Sequence, residues 1–84
     1  MIYEIRFTKE AKKDVDKLSP KLKEKLKKII QEQITQNPYE GKKLVGDLTG
    51  FFSLWLNYKD RILYTIDDHQ KLIYIHRVKT HYGE

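Results

Sequence analysis

The chain has 84 residues, with 17 Lys and Arg against 12 Asp and Glu and a formal charge of +5. That length suits one domain spanning 1–84 and is too short for two. The absence of cysteine excludes disulfides, thiolate catalysis and a Cys-based zinc site. No apolar run approaches the ~20 residues of a spanning helix, and Met1–Phe7 leads into a charged stretch, unlike a signal peptide. The expected setting is the cytoplasm, away from membranes, and the positive balance favours a polyanionic partner.

Ile2–Phe7 alternates, with Tyr3, Ile5 and Phe7 on one side, and predicts a strand. Thr8 is placed to cap a helix with Glu10 in its first turn, and Ala11, Val15 and Leu18 recur at helical spacing. Ser19 and Pro20 open a second helix, whose buried stripe runs through Leu22, Leu26, Ile29 or Ile30, and Gln33 or Ile34. Lys21, Lys23, Lys25, Lys27 and Lys28 surround that stripe as a solvated or RNA-facing surface. Asn37-Pro38 ends it.

Tyr39–Gly50 reads as a glycine-containing loop with a short strand near Leu44. Strands are predicted at Phe51–Leu56, Arg61–Ile66 and Leu72–Val78, joined by polar turns, so these last three should form an antiparallel meander. The expected architecture is α+β: two N-terminal helices packed on a small, mainly antiparallel, four-stranded sheet. The second sheet face would then be only partly covered, which is where a ligand groove would lie.

Polar residues able to carry chemistry are few: Glu40, Arg61, His69, His76, Arg77, His81 and Tyr82. The histidine spacing matches no standard zinc pattern, so neither a metal nor another cofactor is expected. Metal-free RNA cleavage needs a base for the 2′-hydroxyl, positive charge for the phosphorane-like state and an acid for the leaving 5′-oxygen. A carboxylate, arginines and a histidine meet those needs.

Asn37-Pro38-Tyr39-Glu40-Gly41-Lys42, then Leu48-Thr49-Gly50-Phe51-Phe52-Ser53, then Arg61-Ile62-Leu63-Tyr64 and the closing His81-Tyr82 occur in this order. This series resembles the YoeB/Txe branch of the RelE/ParE superfamily of toxins from type II toxin–antitoxin systems. The resemblance covers nearly the whole chain and implies a microbial-RNase-like fold. It also implies an endoribonuclease that cuts messenger RNA in the ribosomal A site and inhibits translation. By that resemblance Glu40 is the general base, Arg61 stabilises the scissile phosphate, His81 is the general acid and Tyr82 positions the substrate. Arg77, Trp55, Lys42, Lys43 and Lys59 are candidates for holding RNA.

The implied partners are a cognate antitoxin, mRNA and ribosomal RNA near the A site, with a homodimer left open. Where the family usually carries two arginines after the serine, this chain has Leu54 and Trp55. Two extra residues also separate Arg77 from the His-Tyr pair. The alternatives are a ParE-like gyrase inhibitor without the catalytic set, and a ribosome- or RNA-binding module that does not cut.

Overall fold

The computed structural model describes residues 2–79. Strand β1 (Glu4–Phe7) leads into helix α1 (Lys9–Asp16), followed by helix α2 (Pro20–Ile29). The Thr8 hydroxyl accepts from the Ala11 N–H at 3.1 Å and the Ser19 hydroxyl from the Leu22 N–H at 3.2 Å. Both caps thus satisfy amide groups that a helix start leaves without partners. Pro20 occupies the first turn of α2, where no N–H is required.

α2 continues through a wider π-helical turn at Ile30–Ile34. That turn settles the open choice in the apolar stripe. Ile30 and Ile34 are buried with Leu26, whereas Ile29 is partly buried against the same core.

After a 3-10 turn at Pro38–Glu40 come β2 (Lys42–Lys43), a second 3-10 turn at Gly46–Leu48, β3 (Phe52–Trp55), β4 (Arg61–Asp67) and β5 (Leu72–Lys79). The sheet has five strands in the order β1-β5-β4-β3-β2, which corrects the expected four. The short edge strand arises because Lys42 and Lys43 pair with Ser53 and Phe52. The short strand expected near Leu44 lies just before it, at Lys42–Lys43.

β3, β4 and β5 form the expected antiparallel meander, and β1 joins β5 in parallel, making the sheet mixed. A parallel partner needs a crossover, and the helices with the following strands supply it.

Phe52, Ile62, Tyr64, Ile73, Ile75 and Val78 form one buried layer with Ala11, Leu26, Ile30 and Ile34. The helices therefore cover one face of the sheet. On β3 and β4 the intervening residues Ser53, Trp55, Arg61, Leu63 and Thr65 take the other face by alternation. Opposite the step from Leu63 to Tyr64, β5 carries one extra residue, His76, because Leu63 pairs with Arg77 and Tyr64 with Ile75. This bulge is pinned from the edge: the Thr8 N–H donates to the Ile75 carbonyl at 3.1 Å, and the Thr8 hydroxyl donates to the His76 carbonyl at 3.2 Å.

β1 ends at Phe7, yet β5 runs on to Lys79. Asp14 of α1 takes over as the edge partner, accepting from the Val78 N–H at 3.0 Å. Among the described residues, no helix is long and apolar enough to cross a membrane.

Candidate nucleic-acid interface

Arg61 enters the sheet from a turn built by one side chain. Asn57 Oδ1 accepts from the Lys59 and Asp60 amides at 2.9 and 2.6 Å, while Asn57 Nδ2 donates to Asp60 Oδ2 at 3.1 Å. The Leu56 N–H closes the turn onto the Asp60 carbonyl at 2.7 Å. A side chain that mimics a backbone turn in this way fixes the direction of the next strand.

Arg61 then pairs with Trp55 on one side and Lys79 on the other. Its guanidinium carbon lies 4.5 Å from the centroid of the Trp55 ring. Trp55 is 53% exposed, so cation–π attraction orders the arginine beside an aromatic face that solvent still reaches. Trp55, where the resemblance implies an arginine, is thus an orienting partner for Arg61. Ser53 and Leu63 lie buried in the floor of this face.

Glu40 is exposed at the end of the Pro38–Glu40 turn, on the β2 side of β3, whereas Arg61 lies on the β4 side. Three contacts hold that turn. The Tyr64 hydroxyl donates to the Pro38 carbonyl at 2.6 Å. The Tyr39 ring meets Phe52 edge-on at 5.6 Å, and Phe52 stacks on Tyr64 at 5.8 Å. The Tyr39 hydroxyl donates to Asp68, which also accepts from Tyr3 at 2.6 Å.

Hydrogen bonds from Tyr3 and then Tyr39 hold the Asp68 carboxyl below its usual range, and the hydrogen bond to Asp68 pushes Tyr3 up to about 12. Burial pushes Tyr64 up to about 12, and the nearby Glu40 charge adds to that rise. Gly41 follows because a Cβ there would run into the Tyr64 hydroxyl and sit 3.1 Å from the Ser53 carbonyl.

The other sequence-predicted residues divide. Lys42 and Lys43 are exposed on β2, and Lys59 is exposed at the β3–β4 turn. Lys59 also lines a cleft of about 490 Å³ with Asp60, Arg77 and Lys79. Arg77 is committed to the sheet edge: its Nε and Nη2 reach the two oxygens of Asp14 at 2.9 and 3.2 Å. Burial raises the Asp14 carboxyl, but hydrogen bonds from Arg77 and Val78, with the charges of Arg77 and Lys79, outweigh it and leave it below the usual value.

His81 and Tyr82 lie outside the described residues. His69 is exposed in the β4–β5 turn. Among the described residues, no group of three or more His, Asp or Glu gathers to hold a metal ion.

Lys79 and His76 have no role legible in the sequence pattern. Lys79 becomes visible only through its pairing with Arg61. His76 becomes visible through the bulge, and its Nε2 lies 2.9 Å from the Thr65 hydroxyl. A bulge of this kind leaves no mark in a pattern of alternating residues.

Residues 5–83 match the model of the ParE-like toxins of type II bacterial toxin–antitoxin systems. Over 74 residues the chain is 34% identical to a protein named as toxin RelE4 from Methanocaldococcus jannaschii, covering 86% of this chain and 79% of that one. The toxin–antitoxin complex RelBE2 from Mycobacterium tuberculosis contains a similar chain, with TM-score 0.87 and 32% identity, over 96% of this chain and 100% of that one. The YoeB dimer from Staphylococcus aureus is similar at TM-score 0.78 and 30% identity, over 98% and 100% of the two chains. The sheet order, the helical hairpin and these likenesses agree, and the chain belongs to the ParE-like toxins of type II toxin–antitoxin systems, within the RelE/ParE superfamily.

Proposed function

We propose that this toxin is a metal-independent endoribonuclease that cuts messenger RNA in the ribosomal A site and so stops translation in the cytoplasm. The observation that carries this reading is Arg61 held over Trp55 at 4.5 Å on the sheet face that bears no helix. A fixed guanidinium with an exposed ring beside it suits a phosphate and its adjoining base. Lys79 lies across from Arg61, and Lys42 stands on the far side of β3, adding positive charge along a strand of RNA.

In this reading the Glu40 carboxylate takes the proton of a 2′-hydroxyl, and the 2′-oxygen attacks the adjacent phosphorus. Arg61 neutralises the charge that builds on the phosphoryl oxygens. The bond from phosphorus to the 5′-oxygen breaks, and His81 gives its proton to that oxygen, with Tyr82 positioning the substrate. The products are a 2′,3′-cyclic phosphate, open to hydrolysis to a 3′-phosphate, and a 5′-hydroxyl end. The ribosome presents the message, since so small a domain has little surface for reading sequence.

A cognate antitoxin is the proposed regulator, in keeping with the relative solved as a RelBE2 toxin–antitoxin complex. A homodimer is proposed on the likeness to the S. aureus YoeB dimer. On the helical side, Ile5, Phe7, Val15, Leu26 and Ile30 line an apolar cleft of about 300 Å³ rimmed by Lys23 and Lys27. That chemistry suits an amphipathic antitoxin segment with acidic flanks.

A second reading, a ParE-like toxin that acts without cutting RNA, is favoured by one observation. Arg77 is engaged with Asp14, so positive charge that would grip a phosphate is spent on the sheet edge.

Primer extension on a defined message in a reconstituted translation system separates these readings. Discrete cuts at ribosome-occupied codons, lost in Glu40→Ala and Arg61→Ala, are expected. An intact message with translation still blocked would overturn cleavage, and an intact message with normal translation would direct the search to gyrase.

A further inference from the structure

Beyond Arg61, the helix-free face carries a second cluster that the cleavage chemistry does not use. His76 and Thr65 meet across neighbouring strands, with His76 Nε2 and Thr65 Oγ1 2.9 Å apart. The Phe51 ring lies edge-on to the imidazole at 4.9 Å, and the Tyr74 ring lies 6.5 Å away. Tyr74 is 36% exposed, so the aromatic surface is open to solvent. The bulge on β5 aims the imidazole toward Thr65, and two hydrogen bonds from Thr8 hold the Ile75 and His76 carbonyls behind it. Such bulges commonly re-aim a side chain beside a functional surface.

We infer that His76, Thr65, Phe51 and Tyr74 form a subsite for one unpaired RNA base, and that His76 sets which base is preferred beside the cut. This rests on the reading of the helix-free face as the RNA face. Thr65 lies four residues along β4 from Arg61, a separation of roughly 13 Å at the rise of an extended strand. A strand with its scissile phosphate at Arg61 therefore carries a base a nucleotide or two away into this cluster.

The residue types suit a base better than a phosphate. Rings supply stacking surface, and the His–Thr pair supplies hydrogen-bonding groups that can meet a base edge. Burial holds the imidazole below its ordinary pKa, so near neutrality it acts through stacking and hydrogen bonding. Phosphate contacts fix position without reading sequence, whereas a base-edge contact in this cluster discriminates.

The test is an NMR titration of the full chain with 2′-O-methyl tetranucleotides of A, C, G or U, which bind but cannot be cut through the 2′-oxygen. The expected result is saturable shifts of the His76 ring and Thr65, with one base bound at least about fivefold more tightly than the weakest. His76→Ala should weaken the preferred oligomer about tenfold and flatten the preference. Thr65→Val, which keeps the side-chain volume, should alter the preference even if His76→Ala does not fold.

Equal binding of all four oligomers, or a preference unchanged in both variants, would overturn the inference. Cleavage outcomes separate it from the nuclease reading. A message cut without base preference removes the subsite and leaves the enzyme, while base-selective binding with an uncut message removes the enzyme and leaves the subsite.

Discussion

The two faces of this sheet are made by the same strands, yet they do opposite things. Beneath the helices, Ile62, Tyr64, Ile73 and Ile75 are fully buried, and the Tyr64 hydroxyl has found the Pro38 carbonyl. On the other face, Trp55 stays half exposed under Arg61, while Thr65 and His76 satisfy one another beside a solvent-exposed tyrosine. One face gains stability from apolar burial, and the other retains polar and aromatic groups that stability alone does not require. Residue alternation on β4 is the device that separates them. Arg77 and Arg61 show the same division at the level of single side chains, one fixed against an acid and the other resting on an aromatic ring.

The largest effect expected on the covered face comes from Ile75→Ala. It removes a side chain with no solvent exposure from the core and should cost about 2–5 kcal/mol. Chemical denaturation measures that loss. RNA binding by the fraction still folded should be unchanged if the two faces are independent.

Gly41→Ala comes next, because the added methyl meets the Tyr64 hydroxyl and the Ser53 carbonyl. A destabilisation of about 1–3 kcal/mol is expected from such overpacking. Adding Tyr64→Phe should recover part of it. A double-mutant cycle that comes out strictly additive would contradict the close approach of these two groups.

Asp14→Asn should cost less, about 1 kcal/mol, since Arg77 remains 34% exposed and solvent screens the pair. Its pH dependence has a definite sign. The folded carboxyl binds its proton below the ordinary 3.8, so the unfolded chain takes up protons first as pH falls. The stabilisation is therefore present above that range and is lost as pH drops through it. The gap between native chain and variant, followed by thermal melts from neutral to acid pH, should close on acidification.

How much was legible in the sequence follows the same division. The caps at Thr8 and Ser19, the apolar stripe through Leu26 and the antiparallel meander came from local rules, because caps, helical period and strand alternation are encoded within a few residues. β2 was legible only as a short strand near Leu44, because its pairing with Ser53 and Phe52, rather than its own two lysines, sets its bounds. The Asp14–Arg77 contact spans 63 positions and depends on β1 ending early, so from the sequence Arg77 is a candidate for holding RNA and its acidic partner does not show. Arg61 was singled out by resemblance, but its orientation over Trp55 needed the β3–β4 register. His76 stood among the polar candidates without a role, since only the bulge and the Thr65 contact give it a place.

On the proposed function, the helix-free face works on RNA while the edge pair holds the fold. Cleavage of ribosome-bound message, expressed per folded molecule for Arg61→Ala and Arg77→Ala, tests it most directly. Arg61→Ala should lose about a hundredfold to a thousandfold in rate with little change in melting, whereas Arg77→Ala should melt earlier and cut at near the native rate. Equal loss of cleavage in both, or native cleavage by Arg61→Ala, would contradict it.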